Sequence, residues 1–115
     1  MELHEILELG ADHLRISQDR ITSPSRLRPL VDARRMIAAQ MYERRKCTLM
    51  DVAQALGRTH HTTIISLLDG HKDFMKNSRE YREKYAKMKK DMDFFYHSNE
   101  MTEAGIIAAA NMGLI

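Results

Sequence analysis

Residues Thr48–Leu68, T-L-M-D-V-A-Q-A-L-G-R-T-H-H-T-T-I-I-S-L-L, decide how this 115-residue chain is read. Thr48 stands where a helix N-cap belongs, and Asp51 three residues on has the spacing of a capping box. Leu49, Val52, Ala53 and Leu56 recur at helical spacing and end at Gly57, a residue suited to a C-cap or tight turn. Thr59 is placed to cap a second helix whose apolar stripe is Ile64, Ile65 and Leu68. Two short helices joined by a glycine turn form the pattern of a helix-turn-helix, in which the first turn of the second helix meets base edges. His60, His61, Thr62 and Thr63 fall in that first turn.

Upstream, Leu3, Ile6, Leu7 and Leu14 predict a helix over about 2–14. The stretch I-S-Q-D-R-I-T-S-P-S-R-L-R-P reads as irregular, because Pro24 and Pro29 prevent one continuous helix. A helix over about 30–45 follows, with Val31, Ala38, Met41 and Tyr42 as expected buried members. The second motif helix is expected to end near Asp69, closed by Gly70. Beyond it, Tyr81, Tyr85, Met88, Met92 and Phe95 step by four and three along a long amphipathic helix that begins near Asn77 or Ser78. A last short helix, capped by Thr102, is expected through Ala104 to about Met112. The class is all-α, with residues 1–76 as the motif domain and 77–115 as a helical extension packed on it or mediating self-association.

At 43% hydrophobic residues, the chain can bury one core without disulfides or a structural metal. Cys47 is the only cysteine, so no staple is possible and a reducing compartment is expected. The start M-E-L-H-E-I-L-E-L lacks the basic and apolar regions of a signal peptide, and no run reaches membrane-spanning length. A cytoplasmic, soluble protein is the expectation.

The net charge of +2 conceals strong segregation. Arg20, Arg26, Arg28, Arg34, Arg35, Arg44, Arg45 and Lys46 face only Asp32 and Glu43 between positions 20 and 46. A second basic run lies between Arg79 and Lys90, while both ends of the chain are acidic. Clustered arginine beside a helix-turn-helix is the footprint of phosphate contact. The second run reads equally as a solvated face.

The segment from about Glu5 to Phe74 resembles the C-terminal DNA-binding domain of the bacterial replication initiator DnaA, a Trp repressor-like helical fold. The family hallmark G-G-R-D-H-T-T corresponds to G-R-T-H-H-T-T at Gly57–Thr63. I-S-Q-D-R-I, S-R-L-R-P-L and V-D-A-R-R-M-I-A-A hold the family's upstream register without gaps from Ile16 through Thr63. The resemblance implies that Arg28 matches a loop arginine entering the minor groove, and that Arg34 lies near phosphates. It also implies that His61, Thr62 and Thr63 read the major groove. Arg58, Thr59 and His60 stand where the family has glycine, arginine and aspartate, so a shifted base preference is expected. No G-x-x-x-x-G-K-[ST] loop occurs, so a detached reader without the initiator's ATPase module, and without a nucleotide, is expected.

The expected DNA-contact set is therefore Arg26, Arg28, Arg34, Arg35, Thr48, Arg58, Thr59, His60, His61, Thr62 and Thr63. No cofactor or catalytic set is expected. His60, His61 and His71 do not read as a zinc site, since adjacent histidines diverge on a helix. Cys47 lacks a base and an orienting group. The partner is expected to be double-stranded DNA, in a regulatory or replication-related role. The stripe of Tyr81, Tyr85, Met88, Met92 and Phe95 is expected to pack on the chain's own core, against the alternative of a homodimer through these residues and the apolar tail. The competing function is a helical adaptor that keeps the fold and has lost base reading.

Overall fold

The computed structural model describes residues 2–100, with side chains through Phe95. Among these residues the chain forms α1 (Leu3–Leu14), α2 (Gln18–Thr22), α3 (Arg28–Arg44), α4 (Leu49–Ala55), α5 (His61–Asn77) and α6 (Arg79–Glu100), and no strand. The all-α class is as expected. The helix expected from Thr102 lies outside the described residues.

The core forms around α3, which packs against α1, α2, α4 and α5. Leu30, Ala33, Met36, Ile37, Ala39 and Met41 are all buried and lie on several sides of it. A helix with partners all round has no clean polar face, so periodicity is a poor guide to its interior. Ala38 and Met41 are buried as expected, but Val31 is half-buried and Tyr42 is 49% exposed. Proline fixes the start of α3 two residues earlier than its apolar pattern suggests. Pro29 sits in the first turn, where a missing N–H breaks no helical bond.

Two further departures have local causes. The stretch expected to be irregular contains α2, because the Ser17 hydroxyl oxygen accepts from the Arg20 N–H (3.3 Å) and Ile21 is fully buried. Helix α5 continues through Gly70 to Asn77 instead of closing there. A Cβ at Gly70 would lie 2.7 Å from Arg35 Nε, so this glycine admits a crossing side chain rather than a cap. The chain breaks at Ser78, whose hydroxyl oxygen accepts from the Tyr81 N–H (3.2 Å). Arg82 donates to the terminal α5 carbonyls of Met75 (2.8 Å) and Lys76 (3.4 Å).

Helix α6 packs on α1 and α5, burying Tyr81, Tyr85, Met88 and Met92. Those four residues are enclosed by their own chain and are not free for the dimer seam that the sequence suggested. Phe95, the last member of the stripe, is 48% exposed. Inside this layer His71 Nδ1 lies 2.7 Å from the Tyr81 hydroxyl, and the Gln40 amide donates to the Tyr85 hydroxyl. Burial lowers the His71 pKa, with Glu43 opposing the shift weakly.

Two outcomes are expected of this packing. A Cβ at Gly10 would meet Ile37 Cγ1 at 2.6 Å. Gly10→Ala should therefore destabilise by about 1–3 kcal/mol, where the same change in an open helix stabilises by ~1 kcal/mol; urea unfolding measures the sign. His71 is held neutral in the folded state, whereas the unfolded chain binds its proton near pH 6.5. Its contribution is complete above that pH and is lost on acidification. The urea midpoint should fall between about pH 7 and pH 5, and His71→Phe should flatten that fall.

Candidate nucleic-acid interface

The turn between α4 and α5 is closed by backbone bonds that need a glycine. Thr48 and Asp51 cap α4 reciprocally: the Asp51 N–H donates to Thr48 Oγ1 (3.1 Å) and the Thr48 N–H donates to the Asp51 carboxylate (2.9 Å). At the other end the Arg58 N–H donates to the Ala53 carbonyl (2.7 Å) and the Gly57 N–H to the Gln54 carbonyl (3.1 Å). This is a Schellman closure, and it sets Gly57 at φ 72°, a left-handed conformation that costs glycine nothing.

Helix α5 starts at His61, so His60 is its N-cap residue and Thr59 lies one position too early to cap it. No side chain covers the first N–H groups. Thr59, His60, His61 and Thr62 are exposed and Thr63 is half-buried, whereas Ile64 and Leu67 anchor the helix in the core. Ile65, expected in that apolar stripe, is instead 41% exposed beside the polar turn. The inward positions are 64, 67, 68 and 71, one helical face.

The arginines divide into two kinds. Arg34 is 4% exposed, and its guanidinium donates to the carbonyls of Ile21 (2.6 Å), Ser25 (2.6 Å), Ser23 (2.7 Å) and Arg20 (3.3 Å). Burial, and secondarily the nearby Arg58, lower its pKa. Arg58 donates to the carbonyls of Ser23 (2.8 Å) and Thr22 (3.3 Å). Both were expected on DNA; both are occupied within the fold, holding the loop between α2 and α3. The reason is chemical, since the last carbonyls of α2 need donors and a guanidinium supplies five. Arg35 is also drawn inward: it pairs with Asp32 (2.8 Å), lies over the Phe74 ring (4.8 Å to the centroid) and passes across Gly70.

Arg26 is exposed, and the Arg28 side chain is 75% exposed at the first position of α3, with only a 4.0 Å approach to Asp32. The outward-facing set is thus Arg26, Arg28, Thr48, Thr59, His60, His61 and Thr62, with Thr63 at its edge. Among the described residues no three His, Cys, Asp or Glu side chains cluster as a metal site would require. The Cys47 thiol is pushed up by burial and by Asp51, the opposite of what activates a nucleophile. No helix among the described residues is long and apolar enough to cross a membrane.

The family model for the bacterial DnaA protein helix-turn-helix matches residues 3–69. The chain belongs to this family. The match runs from α1 through the first half of α5, so it contains the capped turn, the arginine-held loop and the exposed polar turn. DNA is the partner that membership in this helix-turn-helix family implies. Among curated proteins none matches the sequence.

The two kinds of arginine should separate in stability measurements. Arg34→Ala leaves several interior carbonyls without a donor and should destabilise on the order of 3 kcal/mol. Arg34→Lys should recover little, because one ammonium cannot span that set. Arg26→Ala should leave the unfolding midpoint almost unchanged.

Proposed function

We propose that this protein is a sequence-specific reader of double-stranded DNA, with the first turn of α5 in the major groove and the exposed arginines of the α2–α3 loop in an adjoining minor groove. The observation that carries the reading is the division of labour among its polar residues. Side chains able to bond base edges are exposed together at an uncapped helix start, while the surrounding frame is held by arginines turned inward.

Thr59, His60, His61 and Thr62 combine donors, acceptors and methyl groups, the repertoire that distinguishes base pairs in the major groove. Exposed Ile65 is suited to a thymine methyl. The free N–H groups of the α5 start favour a phosphate oxygen, and the Thr48 hydroxyl at the start of α4 retains a proton to donate to another. Arg28 supplies the minor-groove contact, attracted by the negative potential of a narrow A·T tract. The spacing supports a joint contact. The Arg28 guanidinium lies 5.5 Å from the Phe74 ring centroid, and Phe74 is about 20 Å along α5 from His61 at ~1.5 Å per residue. Neighbouring grooves on one face of B-DNA lie about half a helical repeat apart, roughly 17 Å. A regulatory or replication-related role is the reading that its DnaA-type helix-turn-helix favours.

Selection from a random duplex library at two salt concentrations tests this directly. Enrichment of a short motif with A·T pairs on one flank is expected; salt-insensitive behaviour with no enrichment would favour the adaptor reading. On the selected site, Thr62→Ala or His61→Ala should weaken binding by roughly 1–3 kcal/mol and affect random DNA less. Arg28→Ala should reduce the salt slope by about one.

A further inference from the structure

We infer that Arg58 is a positioning residue which locks the α2–α3 loop to the turn of the helix-turn-helix, so that the loop arginines and the reading helix approach DNA as one rigid unit. The inference rests on the DNA reading above and adds to it the device that fixes the separation of the two contacts.

Three observations converge on the same short stretch of backbone. Gly57 touches the end of α2 so closely that an added Cβ would lie 3.0 Å from the Thr22 carbonyl oxygen. The next residue, Arg58, then reaches the carbonyls of Thr22 and Ser23 from the turn side. The Ser23 carbonyl is shared with Arg34, which belongs to α3 and also grips Ser25. Turn, loop and central helix therefore meet at Ser23. Arg34 alone would tie the loop to α3; Arg58 ties it by side-chain hydrogen bonds to the turn that precedes α5.

Beyond Ser23 the Ser25 carbonyl is held by Arg34 (2.6 Å), while the backbone N–H groups make only weak local bonds. The Ser25 N–H donates to Ser23 Oγ and the Leu27 N–H to Ser25 Oγ, each at 3.4 Å. Arg26 hangs from this segment, so its aim relative to α5 depends on whether Ser23 is fixed from both sides. A preorganised loop loses less freedom on binding, which appears as affinity without any contact between Arg58 and DNA. A guanidinium is required because two neighbouring carbonyls must be met at once, which a point-charge ammonium does poorly. Neither Arg58 nor Arg34 has a carboxylate partner among the described residues, so carbonyl dipoles alone balance them.

The decisive experiment combines a double-mutant cycle with amide exchange on the full chain. Arg58→Ala should lower affinity for the selected site by roughly 10–30-fold, while unfolding stays cooperative. In that background Arg26→Ala should cost much less than in the wild type, because the loop arginine is no longer aimed. Amide exchange at Ser25 and Leu27 of the free protein should quicken, with α4 and α5 unaffected. Arg58→Lys should behave like Arg58→Ala. Equal fold-losses for Arg26→Ala in both backgrounds, or full recovery with Arg58→Lys, would show Arg58 acting as a charge on DNA and overturn the inference. Unchanged exchange at Ser25 and Leu27 would overturn it without reference to DNA. A wild-type protein that binds no DNA would remove the reading beneath it, and the exchange data would then report separately whether the lock exists.

Discussion

The carbonyl of Ser23, held by one guanidinium from α3 and one from the turn between α4 and α5, is the constraint on which the working end of this molecule depends. A helix as short as α2 leaves almost all of its terminal carbonyls without internal partners, and here they point into the fold rather than into water. Buried carbonyls without donors are costly, so the interior must supply donors. Arg34 does so with four bonds and Arg58 with two, at the price of placing two cations near one another. The arrangement is stable because each charge lies at the negative end of aligned peptide dipoles. Removing either partner exposes the cost of the other, so the loop, the turn and α3 behave as one unit.

The packing is tightest where a glycine admits a neighbouring side chain or carbonyl. Gly10 lets α1 close on Ile37 of α3, Gly57 lets the turn close on Thr22, and Gly70 lets Arg35 cross α5. Only the second has a left-handed φ; the other two lie inside helices, where glycine is otherwise unfavourable. In each case a missing methyl group sets the distance between elements. These distances place α5 so that Ile64 and Leu67 face inward while the residues from Thr59 to Thr62 face solvent.

The family to which the chain belongs contributes the helix-turn-helix, and α6 completes the core beyond the matched region. Its aromatic and methionine stripe covers α1 and α5 rather than a second molecule, and the pairing of Tyr81 with His71 makes the junction partly polar. Arg82 caps α5 from α6, so the two helices support each other at their shared break. The frame that presents the exposed polar turn is thus built from residues outside the family motif as well as within it.

What was legible in the sequence was local. Capping at Thr48 and Asp51, the left-handed turn at Gly57, the start of α6 at Ser78 and the register of the Tyr81–Met92 stripe each depend on residues within a few positions of one another. The exposed polar turn from Thr59 to Thr62 was legible for the same reason, since helical phase separates it from Ile64 and Leu67. What the sequence could not disclose is where long side chains go. Arg28 and Arg34 look alike in a basic run, yet one reaches solvent and the other is buried on carbonyls up to fourteen residues away. Gly70 has the look of a helix stop, but it is a passage for Arg35, and Arg58 has the look of a base reader, but it holds the loop. Propensity and periodicity act through neighbours along the chain and settle the helices. The roles of arginines and interior glycines are settled by which carbonyl or side chain the fold brings against them, and that is decided only in three dimensions.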